Sequence, residues 1–108
     1  VRPSTARTLL SMMEYTTTVG TSSREFMTRS RQPILGDIRV AGKTGTLSGS
    51  NPAGLNSWFI GAAPIDNPEV AVAVISVDPR SHARASHLAK FMFQKYFGYE
   101  TTYAPSSE

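Results

Sequence analysis

The stretch that decides the fold runs from residue 38 to residue 77 and reads IRVAGKTGTLSGSNPAGLNSWFIGAAPIDNPEVAVAVISV. Three runs rich in apolar and β-branched residues predict strands over 38–47, 57–63 and 69–77. Residues 48–56 are rich in Ser, Gly, Asn and Pro, which predicts a loop. Because the connections between the strands are short, we expect antiparallel neighbours. The third run is apolar on both faces, which predicts a central strand covered on both sides.

Helices are predicted on either side of these strands. Residues 4–19 carry apolar side chains at helical spacing, and Pro3 suits the first turn. Arg2 stands where a Ser, Thr, Asp or Asn would cap a helix, so we expect no side-chain N-cap there. A second helix is predicted from residue 81 to residue 97, with Gly98 as its C-terminal stop. The predicted fold class is therefore α+β, an antiparallel β-sheet flanked by helices.

The remaining segments are predicted to be irregular. Residues 20–36, rich in Ser, Thr and Arg, predict a loop, residues 78–80 a turn, and residues 100–108 a frayed tail. Trp58 and Phe59 are neighbours in a strand and so point to opposite faces of the sheet. We expect both to pack in the core.

Composition excludes several kinds of site. The chain has 108 residues, a net charge of +3 and no cysteine, so disulfides and thiolate metal sites are excluded. His82 and His87 do not share a helix face, and a metal site needs three or four convergent ligands, so no metal and no cofactor is predicted. The basic residues form no long run with aromatic interleaving, so no nucleic-acid partner is predicted. No apolar stretch is long enough to span a bilayer.

The residues with the clearest chemistry are Lys43, Thr44, Gly45 and Thr46. A lysine on a strand offers a positive charge to a carboxylate. Thr44 and Thr46 are two residues apart, so both hydroxyls project from one side of the strand, opposite to Lys43. Gly45 has no side chain, so a peptide could approach the backbone and pair with it. By itself this short motif indicates no more than an exposed strand.

The surrounding sequence is more specific. Residues 58–64 read WFIGAAP, residues 66–69 read DNPE, and an Ala/Val strand follows over residues 70–74. Together with Lys43-Thr44-Gly45 and the upstream helix, this order resembles the penicillin-binding protein transpeptidase family over nearly the whole chain. The resemblance implies that residues 1–108 are the C-terminal part of a transpeptidase domain with the β-lactamase/transpeptidase-like fold.

The resemblance also implies roles for four residues. Lys43 would keep the pocket positive and contact the serine of a Ser-x-Asn element. Thr44 and Thr46 would bind the terminal carboxylate of a D-Ala-D-Ala stem peptide or of a β-lactam. The backbone N–H of Thr46 would complete the oxyanion hole, and Gly45 would let the substrate lie along the strand edge. Lys43 and Thr46 are thus the predicted catalytic residues, and all four are predicted to bind substrate.

The sequence departs from the family pattern in one important respect. It contains neither Ser-x-x-Lys nor Ser-x-Asn, so the nucleophilic serine is expected upstream of residue 1. We therefore expect this chain alone to be inactive and to need the remainder of the transpeptidase domain as a partner. The implied parent is a serine D,D-transpeptidase that cross-links peptidoglycan outside the cytoplasm, anchored by an N-terminal transmembrane segment not present here.

Two alternatives stay open. A D,D-carboxypeptidase, a serine β-lactamase or a β-lactam sensor would share the Lys-Thr-Gly strand, and the upstream part of the domain would distinguish them. A non-catalytic interaction module that pairs its sheet edge with another strand is the alternative from a different class.

Overall fold

The structure, a computed structural model, describes residues 1–50, 53–77 and 84–99. Its elements are α1 (Pro3–Thr18), α2 (Ser23–Phe26), β1 (Ala41–Ser50), β2 (Ala53–Ala63), β3 (Val70–Val77) and α3 (Ala85–Tyr96). The α+β class is confirmed, because three antiparallel strands form one sheet alongside the helices. The predicted turn at 78–80, the predicted helix start at 81, His82 and the predicted tail at 100–108 lie outside the described residues.

The sheet has the order β1-β2-β3, and both strand pairs are antiparallel. In its register Thr46 lies opposite Ser57 and Thr44 lies opposite Phe59. The prediction of a loop over residues 48–56 is wrong at both ends, since β1 continues to Ser50 and β2 begins at Ala53. The preference of Ser, Gly and Asn for turns is a weak local effect. Here most of these residues pair between the two strands of a long hairpin instead.

The prediction that the third run is a central strand is also wrong within the described part of the chain. β3 lies at an edge of the sheet, and Ile75 on one of its faces is 70% exposed. Apolar side chains on both faces therefore do not mean that both are covered here. We call the side of the sheet that carries Ile75 the open face. Its exposed apolar residues are Leu47, Trp58, Ile60, Ile75 and Val77.

The other side, the helix face, holds the core. Phe59 from β2 and Phe93 from α3 are fully buried, and Phe26 lies between them. The ring centroids of Phe26 and Phe59 are 5.8 Å apart, and those of Phe26 and Phe93 are 6.1 Å apart. Core packing is thus confirmed for Phe59, whereas it is wrong for Trp58, which lies on the open face and is 46% exposed.

A pair of glycines makes room for the Phe59 ring. Gly42 and Gly61 lie directly opposite each other on β1 and β2. A Cβ on Gly42 would lie 2.4 Å from Cζ of Phe59, and one on Gly61 would lie 2.7 Å from Cε2 of the same ring. Neither position can therefore carry a side chain while Phe59 stays in place.

The predicted loop over residues 20–36 contains the short helix α2. Its Phe26 enters the core, and its Glu25 carboxylate contacts Nδ1 of His87 at 2.7 Å and Nζ of Lys90 at 3.3 Å. The Ser- and Arg-rich composition hid this element, because a single turn of helix carries too few apolar residues to show a period.

The helix ends agree with the sequence. Pro3 opens α1, and Arg2 before it makes no side-chain cap, as predicted. α3 ends at Tyr96, and Gly98 follows with a φ of 81°, which a glycine adopts without strain. Among the helices of the described ranges, none is long and apolar enough to cross a membrane.

Candidate functional site

Lys43 to Thr46 lie in β1, which is an edge strand of the described sheet. The register places Thr44 opposite Phe59, and so on the helix face, together with Thr46. Lys43 and Gly45 lie on the open face, opposite Ile60 and Trp58. The structure therefore brings the two predicted threonines together and separates them from the predicted lysine.

The free edge of β1 carries backbone groups that do not pair with β2. The Thr16 hydroxyl donates to the carbonyl of Gly42, and Nζ of Lys43 donates to the carbonyl of Thr44 at 2.6 Å. In an antiparallel ladder the N–H and C=O of one residue point to the same side, and this side alternates along the strand. The same alternation directs the N–H of Thr46 toward the free edge.

Gly45 has a packing reason to lack a side chain. A Cβ at this position would lie 2.8 Å from Cε2 and 2.9 Å from Nε1 of Trp58. The indole of Trp58 therefore fills the open-face space beside Gly45. The role of Gly45 toward a substrate stays a prediction.

Hydroxyls from the end of α1 and from the following turn hold β1 in place. The Thr17 hydroxyl, which is buried, donates to the carbonyl of Val40 at 2.7 Å. The hydroxyls of Thr21 and Thr44 are 2.8 Å apart. From the sequence, residues 4–19 were predicted only as a helix. Its strand contacts were missed, because helix propensity says nothing about which tertiary partner a hydroxyl meets.

A cavity of about 270 Å³ opens on the helix face beside the two threonines. It is lined by Thr21, Thr44, Thr46, Leu55, Ser57, Arg84 and Ser86. The sequence did not identify Ser57, Arg84 or Ser86 as site residues. Arg84 and Ser86 line this cavity only because α3 packs on β2 and β3, and no local sequence pattern signals that packing.

An ion cluster fastens α1 to the segment that enters β1. Nε and Nη2 of Arg39 each lie 2.8 Å from a carboxylate oxygen of Glu14, and Nη1 lies 3.0 Å from Asp66. The hydrogen bonds from Arg39 hold the pKa of the Glu14 carboxyl below its usual value. Glu14 in turn raises the pKa of the Arg39 guanidinium. The cluster is positioned to steady the start of β1.

Over residues 1–50, 53–77 and 84–99, no group of three His, Cys, Asp or Glu side chains could hold a metal ion. His87, one of the two histidines weighed from the sequence, contacts Glu25 between α2 and α3. Its position ties the two helices together, away from Lys43 to Thr46.

The chain was also compared with known protein families. The family described as the penicillin binding protein transpeptidase domain matches residues 1–97. The matched range begins before α1 and ends just after α3, so it includes the whole sheet and the cavity. No curated protein matches the chain.

Proposed function

Because the chain belongs to the penicillin-binding protein transpeptidase domain family, an acyl-transfer enzyme family, we propose that it forms the substrate-binding wall of a peptidoglycan D,D-transpeptidase. The observation that carries the proposal is the free edge of β1. Two threonine hydroxyls lie on one side of this edge and a lysine lies on the other.

In this proposal the stem peptide adds to β1 as an extra strand. Main-chain hydrogen bonds to the free edge give affinity, and the Thr44 and Thr46 hydroxyls bind the terminal carboxylate. The outward N–H of Thr46 donates to the oxygen of the scissile carbonyl as negative charge develops on it. Lys43 keeps the opposite side of the edge positive and contacts the Ser-x-Asn serine of the domain.

The nucleophile comes from another part of the domain. A serine Oγ forms a bond to the D-Ala-D-Ala carbonyl carbon, and the peptide C–N bond breaks. The leaving terminal D-alanine takes a proton on its nitrogen. An amine of a second stem peptide then displaces the serine oxygen and completes the cross-link. With a β-lactam, the ring amide is opened by the same first step.

The open face supports the proposal that the rest of the domain packs against this chain. Its exposed Trp58, Ile60 and Ile75 lie on the same side of the sheet as Lys43, and Ile60 lies directly opposite it. We propose that the remainder of the transpeptidase domain covers this face and brings its serine to the β1 edge. Since peptidoglycan is cross-linked outside the cytoplasm, the parent protein acts there, held by an N-terminal membrane anchor.

Labelling with a fluorescent penicillin tests this function. The 108-residue chain is compared with a protein extended upstream through the Ser-x-x-Lys of the domain. We expect label only on the extended protein, and a serine-to-alanine change in that motif should abolish it. Absence of label from both proteins would contradict the proposal and favour an interaction module. Rapid turnover of a chromogenic β-lactam by the extended protein would favour a β-lactamase instead.

A further inference from the structure

We propose that Arg84 and Ser86, at the start of α3, form the anion-binding end of the substrate pocket and bind the substrate carboxylate together with Thr44 and Thr46. This inference rests on the proposed function and deepens it, because it names a cation and a hydroxyl that the strand motif does not contain. The chemical group recognised is the free carboxylate of a D-alanyl peptide or of a β-lactam.

The cavity carries the first part of the argument. Thr44 and Thr46 line it from β1, while Arg84 and Ser86 line it from the start of α3. Its volume of about 270 Å³ is enough for a carboxylate with the methyl-bearing carbon beside it. A carboxylate held by the threonine hydroxyls therefore lies in the same enclosure as the Arg84 side chain.

Ser86 supplies an independent observation. The residue is only 7% exposed, yet it lines the cavity, and none of the described hydrogen bonds uses its hydroxyl. Its hydroxyl oxygen is not among the buried polar atoms that lack a partner in the described part of the chain, so it is open to the cavity. A donor left unpaired at the wall of a polar cavity fits an acceptor that arrives from outside the protein.

The start of α3 adds positive potential to this wall. Arg84 is the residue before the helix, and no side chain caps the first turn at this position. The Ser57 hydroxyl accepts the N–H of Ala85 at 3.2 Å, and the first helical bond runs from Leu88 N–H to the Arg84 carbonyl at 3.1 Å. The N–H of Ser86 thus has no helical partner, and helix N-termini favour anions.

The position of Lys43 excludes it from this cavity. Lys43 lies on the open face, whereas the cavity lies on the helix face. The two cations therefore serve different groups. Arg84 binds the carboxylate held by the threonines, and Lys43 contacts the Ser-x-Asn serine on the opposite face of the strand.

Titration of the 108-residue chain by NMR tests the inference directly. The probes are N-acetyl-D-alanyl-D-alanine, its C-terminal amide, and sodium acetate at matched ionic strength. We expect the acid to shift the backbone amide signals of Thr44, Thr46 and Ser86, and the amide to shift them much less. Arg84→Gln should weaken binding of the acid about tenfold or more, as expected for loss of a charge-assisted hydrogen bond.

Two further variants sharpen the result. Ser86→Ala should weaken binding of the acid without lowering the melting temperature, because it removes a hydroxyl that has no partner in the free protein. Arg29→Gln removes the same charge from an exposed site outside the cavity and should leave binding unchanged. Equal binding of acid and amide, equal shifts with acetate alone, no binding of the acid, or an unchanged affinity for Arg84→Gln would each overturn the inference.

Penicillin labelling of the extended protein separates this inference from the proposed function. In that protein Arg84→Gln should slow acylation by a free-acid penicillin about tenfold and should have little effect with the methyl ester. If Arg84→Gln were acylated by the free-acid penicillin as fast as the wild type, the inference would be overturned and the proposed function would stand. Carboxylate-dependent binding to a protein that is never labelled would overturn the proposed function alone.

Discussion

Gly42 and Gly45 flank Lys43 in β1, and each lies beside an aromatic side chain of β2. Gly42 lies beside Phe59 on the helix face, and Gly45 lies beside Trp58 on the open face. The two glycines on either side of Lys43 therefore have a packing role, whatever the motif binds. A ligand that approaches Gly45 from the open face meets the Trp58 indole first.

Replacing Gly42 by alanine should destabilise the fold strongly. The new Cβ would lie 2.4 Å from the Phe59 ring and 3.2 Å from Cγ2 of Thr17, and the buried Phe59 has no room to move. We expect a loss of about 1–3 kcal/mol in the free energy of unfolding, measured with urea. Gly45→Ala is the matched control. The three atoms nearest to its new Cβ all belong to the half-exposed Trp58, so a loss as large as that of Gly42→Ala would contradict this account.

Glu14 should make stability depend on pH. Its pKa in the folded state lies below the usual carboxyl value because of Arg39. Its contribution is therefore fully present above the unfolded-state pKa and is lost as pH falls through the lowered folded-state pKa. We expect Glu14→Gln to lower the urea midpoint at pH 7 and to matter less at pH 3.

The control for this pH dependence is Glu69→Gln, which changes an exposed carboxyl just before β3. If the stability difference between wild type and Glu14→Gln stayed constant from pH 7 to pH 3, the contact between Glu14 and Arg39 would not be the cause.

At the scale of elements, the last turn of α1 determines where β1 lies. Thr17 is buried, and its hydroxyl donates to the Val40 carbonyl at 2.7 Å. Thr17→Val keeps the shape and removes this donor, so we expect a loss of about 1–3 kcal/mol in the free energy of unfolding. Thr8→Val is the control, since the exposed Thr8 bonds only the Ser4 carbonyl in the same helix. Urea unfolding that gave equal losses for both would contradict a role for the Val40 contact.

The elements themselves were predictable to different degrees. The spacing of apolar residues predicted the type of each long element, helical in α1 and extended in the strands. This works because an element buried on one face carries apolar side chains at the period of that face. The hairpin from β1 to β2 was not predictable, since Gly49 and Gly54 pair with each other although both residues also suit a loop. α2 was missed because Phe26 is its single buried residue.

In the candidate site, too, residues that are adjacent in sequence were predicted, whereas residues brought together by packing were not. Lys43, Thr44 and Thr46 were predicted as site residues because they are adjacent in a recognisable motif, and strand alternation predicted their relative sides, which the register confirms. That Arg84 lines the cavity was not predicted, because it follows Thr46 by many residues and reaches the cavity only through the packing of α3. Sequence pattern identifies what one element presents, whereas a cavity wall is made by several.

At the scale of the whole molecule, the open face determines how the chain behaves in solution. Several large apolar side chains are exposed on one side of a single sheet, and Ile75 is 70% exposed. Surfaces of this kind associate unless another layer covers them. We expect the chain alone to self-associate with rising concentration in sedimentation velocity, and Ile75→Lys to reduce this association.

Met12→Lys serves as the control for self-association, because Met12 is 64% exposed but lies on α1 and not on the sheet. Equal effects of the two lysine substitutions would show that association does not depend on the open face. A wild-type chain that stayed monomeric over the whole concentration range would support the interaction module as the better interpretation.

The hydrogen bond from Thr16 to the Gly42 carbonyl has a consequence for any strand that joins β1. It occupies the first outward carbonyl of the edge, and α1 lies over that position. An incoming peptide cannot use this carbonyl, so α1 limits how far a guest strand can extend along the edge. For the peptide of the proposed function, this limit restricts its register against Thr44 and Thr46. It also shortens the edge available for unwanted pairing between copies.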